Sequence, residues 1–250
     1  MKIKHACIAA LWLLPLPLAA QAPSVITMDQ EPHHHLVFHN NFVNVYDAKA
    51  AAGDSLRLHR HDHDAVAIAI GDQTTTVSIP GQPDVHSKNA DGQVRMQRSG
   101  YVHSTHVDGN AEYFTVAVEL LRPQTGPRNL CASVLAGEPL KCPGASPGGS
   151  SHASTSQPQF ESDQTRIEVV RVRPHESVKL GHAPEFLLIV TLDPASISPA
   201  SPNELGSLLY PGDFVWLEKD GLARTFENRS DKEARLVEFI FQSSSSVSAD

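Results

Sequence analysis

Apolar and polar residues alternate along most of this chain with the two-residue period of an extended strand. Runs rich in Val, Ile, Leu, Phe and Thr occupy residues 36–46, 55–61, 65–70, 74–79 and 113–121. A second series occupies residues 166–173, 186–192, 212–217 and 234–241. Gly, Pro, Asp and Asn separate the runs; glycine allows positive φ, proline fixes φ, and Asn and Asp bond their own backbone. No apolar pattern at i, i+3 and i+4 persists between these breakers, so the chain is expected to be all-β.

The two series are separated by residues 143–158, mostly Gly, Ser, Pro and Ala, too simple and polar to build a core. The second series reads as a worn copy of the first. His182-Ala-Pro-Glu185 leads into an apolar run as His61-Asp-His-Asp64 does, and Asn228 precedes a closing strand as Asn110 does. A β unit repeated at roughly 120-residue spacing implies two β domains. The expected division is an export segment at 1–20, a first domain at 23–124, a linker at 125–160 and a second domain at 161–245.

Residues 1–20 begin with Lys2 and Lys4, continue through an apolar stretch and end in Leu18-Ala19-Ala20, the layout of a secretory signal. The stretch is short and broken by Pro15 and Pro17, so it does not read as a membrane span. A periplasmic or secreted location is expected. Removing the segment takes away two lysines and no acids, moving the formal charge from −8 to −10. An acidic chain has no electrostatic footprint for nucleic acid or an anionic membrane, so the expected partner is a small molecule. Oligomer formation stays open. Of three cysteines, Cys7 falls in the removed segment, and the remaining pair, Cys131 and Cys142, is expected to form a disulfide.

Two segments carry candidate chemistry. In His59-Arg-His61-Asp-His63-Asp64 the histidines are two apart, and in a strand such side chains leave one face together. The second segment places Gly100, five residues, His106, three residues and Asn110 in order. A solvated polar turn is the competing reading of the first segment taken alone. Together the two segments resemble the paired motifs of the cupin family, and Leu209-Tyr-Pro-Gly-Asp213 resembles the opening of a second copy. The resemblance implies two double-stranded β-helix (jelly-roll) barrels, a bicupin, with a divalent metal (Fe, Mn, Zn or Ni) held by His59, His61 and His106. The glutamate many cupins carry a few residues after the second histidine is missing here. Ala65 and Val66 stand in its place, leaving Asp64, His63 or neither as a fourth ligand. The Pro-x-Gly element of the second motif is also absent.

Other residues complete the expectation. Arg57, two before His59, is a candidate anchor for a carboxylate on the substrate. His33, His34 and His35 read as an exposed arm, His103 as a residue facing away from His106, and 81–92 as a long hairpin loop holding His86. Small Ala65, Ala67 and Ala69 alternate with large Val66, Ile68 and Ile70, so one sheet face has room. In the second half Leu180 replaces the first histidine and Arg224 the last, leaving His182 alone. Trp216 and Phe214 read as core. The chain lacks phosphate-cradling glycine loops and a Gly-x-Ser-x-Gly elbow. A metal-dependent enzyme, dioxygenase-like or isomerase-like, is expected, with a non-catalytic small-ligand or metal-binding protein as the alternative.

Overall fold

Alternating side chains become four sheets arranged as two similar halves. The computed structural model describes residues 24–126, 128–129, 133–135, 155–180, 186–197, 207–219 and 224–242. The expected export segment, Cys131, Cys142, His182 and residues 136–154 of the expected linker lie outside the described residues.

The first half contributes β1 (Ile26–Thr27), β2 (His34–His39), β3 (Val43–Ala50), β4 (Ser55–Arg60), β5 (Asp64–Ala69) and β6 (Gln73–Ser78). It continues with β7 (Val85–Asn89), β8 (Val94–Gln97), β9 (Val102–Asp108) and β10 (Tyr113–Leu120). Two short strands follow, β11 (Arg128–Asn129) and β12 (Ser133–Leu135). The second half contributes β13 (Thr155–Glu161), β14 (Thr165–Val172), β15 (Ser177–Leu180), β16 (Phe186–Thr191) and β17 (Ala195–Ile197). It ends with β18 (Ser207–Leu209), β19 (Phe214–Leu217), β20 (Arg224–Glu227) and β21 (Ala234–Phe241).

Strand order exposes the repeat. One sheet of the first half runs β4-β9-β6-β7, and β15-β20-β17-β18 reproduces it in the second. The facing sheets run β8-β5-β10-β3-β2 and β19-β16-β21-β14-β13. Each half is thus a pair of antiparallel sheets facing one another, a jelly roll.

The larger sheet of each half has two buried faces. Val66 and Ile68 of β5, Val94 and Met96 of β8, and Val116 and Val118 of β10 join Leu188, Val190, Val237 and Phe239 of the second half in one apolar core. Trp216 and Phe214 pack against this shared core. Gly212 shows how closely the halves meet: a Cβ there would stand 2.4 Å from the Phe114 ring, and its φ of +90° disfavours a side chain independently. Arg235 of β21 also crosses the boundary, pairing with Asp91 at 2.6 Å and Asp193 at 2.7 Å.

Several expected runs are subdivided. Residues 36–46 form two strands, because Asn40 Oδ1 accepts the N–H groups of Phe42 and Val43 at 2.8 and 3.0 Å and turns the chain. The expected loop at 81–92 contains β7, paired along β6. The last part of the expected linker is β13, and Phe160 in it is fully buried in the shared core. The ladder slips between Pro158 and Phe160, the position where proline offers no backbone donor.

Candidate metal centre

The smaller sheet of the first half carries a β-bulge that decides which side chains enter the barrel. In the β4–β9 ladder Leu56 faces Thr105, but His59 faces His103, so β4 holds one residue more than its partner between these points. The extra residue turns both Leu56 and His59 inward and leaves Arg57 exposed. Two residues beyond His59, the His61 N–H donates to the Tyr101 carbonyl at 3.0 Å and Gly100 N–H donates to the His61 carbonyl at 2.7 Å. Gly100 has φ +83°, a conformation that lets the turn enter β9 in register. Along β9 the odd-numbered residues His103, Thr105 and Val107 are buried, whereas His106 is exposed.

His59, His61 and His103 therefore converge. One ring nitrogen from each lies within 4.8 Å of the others, and all three residues are buried. His61 Nε2 and His103 Nε2 are 3.0 Å apart. Two metal–nitrogen bonds of about 2.1 Å at a right angle place their nitrogens about 3 Å apart, so this separation suits a shared cation. His59 Nδ1 donates to the Arg57 carbonyl at 2.8 Å, which fixes the tautomer and leaves Nε2 as a lone pair. That Nε2 is buried with no partner.

Electrostatics favour the ligand form. Burial, reinforced by the neighbouring His34, lowers His59 to about 4. Burial also holds His61 and His103 well below the usual histidine range, with the neighbouring His59 adding to it. At neutral pH all three are uncharged imidazoles, which zinc, iron, manganese, nickel and copper accept. The residues fit a divalent ion.

Around the three rings stands a polar layer. The His34 ring lies 4.9 Å from that of His59, and its Nδ1 is 2.9 Å from Glu31 Oε2. Glu31 also accepts from the backbone N–H groups of His33 and Arg57 at 2.8 and 3.0 Å. Burial pushes this carboxyl up, but the bonds to His34, Arg57 and His33 outweigh it and hold it at about 2. On the other side the Tyr101 ring stacks on His103 with centroids 4.6 Å apart.

Two expected residues, His59 and His61, are in the cluster; the others are elsewhere. His106 is nearly half exposed on the opposite face of β9, with Nδ1 2.9 Å from Ser55 Oγ, because an odd offset from His103 reverses direction in a strand. Asp64 shares the β5 face of Val66 and Ile68, away from the barrel interior, and its carboxylate takes the Ser99 N–H at 2.9 Å and Arg98 at 3.2 Å. His63 is partly exposed and lines an outer groove with Arg98 and Pro123. Arg57 points to solvent as a result of the bulge, so it cannot anchor a molecule inside the barrel. Within the expected exposed arm, His34 is buried beside the site, while His35 is exposed.

Small side chains line part of the first barrel's inner wall, next to buried apolar clusters that include Leu56, Val107 and Tyr113, and Met28 with Tyr46. Ala65, Ala67 and Ala69 of β5 and Ala117 of β10 face inward, since their large neighbours fill the shared core. The second half inverts this. Leu180 pairs with Arg224 where His59 pairs with His103, and Leu187 and Ile189 occupy the places of Ala65 and Ala67. Its centre is an apolar cluster that includes Leu180, Ile189 and Phe226. Among the described residues, the three histidines form the one group of this kind.

No family model matches this sequence, and no curated protein matches it. Solved structures do. AerE from Microcystis aeruginosa superposes with TM-score 0.58 at 11% identity, covering 88% of this chain and 98% of that one. A cupin 2 conserved barrel domain protein from Leptotrichia buccalis gives 0.54 at 9% identity, covering 84% and 88%. A single-residue variant of salicylate 1,2-dioxygenase from Pseudoaminobacter salicylatoxidans gives 0.55 at 10% identity, covering 80% and 72%. The fold is that of the two-domain cupins.

Proposed function

We propose that this chain is an exported metalloprotein that holds one divalent cation on His59, His61 and His103 and transforms a small organic molecule, as an oxidoreductase or isomerase. The observation carrying this reading is the convergence of three buried, neutral imidazoles, with His59 Nε2 lacking any protein partner. Three protein ligands leave further coordination positions free, the arrangement associated with chemistry at a metal. A bound divalent ion would supply Lewis-acid polarisation, or electrons if it is redox-active, to a molecule placed beside it. Similarity in fold to salicylate 1,2-dioxygenase supports the enzymatic form over simple storage.

The chain's own groups supply the setting. Glu31 orients His34 against His59, and the His59 bond to the Arg57 carbonyl fixes its coordinating nitrogen. Tyr101, whose hydroxyl burial holds still more firmly in its protonated form, stacks its ring on His103. It also lines an outer groove of about 590 Å³ with Arg98, Gly100 and Ile79. The alanines of β5 are buried small side chains on the inner wall of the same barrel.

Cobalt(II)-loaded protein tests the reading. Its visible spectrum should shift when azide is added, reporting an exchangeable position. A spectrum that azide leaves unchanged would favour a closed binding or storage site.

A further inference from the structure

The barrel interior holds a charged group that the three histidines do not use. Arg95 lies on β8 between Val94 and Met96, whose side chains enter the shared core, so its own side chain enters the first barrel. Only 6% of its surface is exposed. Its Nε is buried without a hydrogen-bond partner, and no carboxylate pairs with its guanidinium among the described residues. The two buried acids on the inner wall are otherwise engaged. Glu31 is taken by His33, His34 and the Arg57 N–H, and Glu119 by Asn44 at 2.9 Å and Tyr46 at 3.3 Å.

An arginine cannot discharge by losing its proton, so burial without a partner carries a desolvation penalty unless something neutralises it. Its position indicates what that is. In register across the sheet, Arg95 is followed by Ala67, Ala117 and Tyr46. At about 4.8 Å per strand, Arg95 and Tyr46 stand roughly 14 Å apart with two alanines between them. The far end of that row is closed by the buried Met28, which packs with Tyr46 and Ala117, while the Arg95 charge is felt at both His103 and Tyr101. At the matching place in the second barrel stands Val215, and buried Leu187 and Ile189 stand there in place of the alanines.

We propose that the Arg95 guanidinium is the anchor for a carboxylate of the substrate, whose reacting end lies at the three-histidine centre. A planar guanidinium matches a carboxylate with two parallel hydrogen bonds, so the site would select small organic acids over their neutral counterparts. This rests on the metal reading above and narrows it to a substrate class.

The test compares benzoate with benzamide, and acetate with acetamide, by calorimetric titration of wild-type protein whose metal content has been measured. Wild-type protein should bind each acid about tenfold or more tightly than its amide. Arg95→Gln should lose that preference at unchanged metal content, and Arg95→Lys should retain part of it. Equal binding of acid and amide by the wild type would overturn the proposal without any variant, so a poorly folding Arg95→Gln does not protect it. Preference surviving in Arg95→Gln would overturn it as well. Failure of the metal reading has a different signature: protein that takes up no metal yet prefers benzoate through Arg95 keeps the anion site and loses the centre.

Discussion

His59, His61 and His103 are held neutral by burial, and this makes the metal-free protein sensitive to acid. His59 has an ordinary value of 6.5 and about 4 in the fold, so the unfolded chain takes up its proton first. The stability it contributes is fully present above pH 6.5 and is lost as pH falls through that value toward 4, about 3 kcal/mol for this residue alone. Glu31 acts in the same direction lower down, between its usual 4.5 and about 2. Denaturant midpoints of metal-free protein should therefore drop clearly from pH 7.5 to pH 5, and an unchanged midpoint would mean the rings are solvated. Arg57 and Asp64 teach the complementary lesson at this scale. Both have suitable chemistry close in sequence to the ligands, but a bulge and a strand face direct them elsewhere.

Strand β9 shows how much of the site was legible and where it was not. Tyr101, His103, Thr105 and Val107 are buried, and Val102, Ser104, His106 and Asp108 form the other, more exposed face. The apolar Val107 marks the inward phase, and counting back by twos reaches His103. A family spacing that runs from Gly100 to His106 overrides that phase and selects the outward-facing ring. The β4 bulge has no comparable signal, because Leu56-Arg-Leu-His59 alternates acceptably with or without it. Glu31 and His34 approach the site only through the pairing of β2 and the turn before it, a long-range arrangement that local sequence does not encode. Gly100 joins β9 to the His61 segment, so Gly100→Ala should cost about 1 kcal/mol or more through its positive φ and weaken metal retention. Full stability together with full metal content would show that the turn does not position the ligands.

At the scale of the molecule, duplication was readable from repeated turns and strand spacing, but the way the halves join was not. Unbroken burial of residues 64–69 and 187–191 follows from sheets covered on both faces, one by their own barrel and one by the other half. With a shared apolar core the halves should unfold together. Leu188→Ala, at a fully buried position in that core, should cost about 2–5 kcal/mol and lower a single calorimetric transition. Two separate transitions, with only one shifted, would mean that the halves are independent. The two barrels then differ at their centres: one is filled by an apolar cluster, and the other combines smaller apolar clusters with three converging imidazoles. The most direct measurement of that arrangement is metal stoichiometry in two variants of the same strand, His103→Ala and His106→Ala, loaded and dialysed identically. His103→Ala should lose the bound ion while His106→Ala keeps about the wild-type amount; the reverse result would contradict the assignment of the centre.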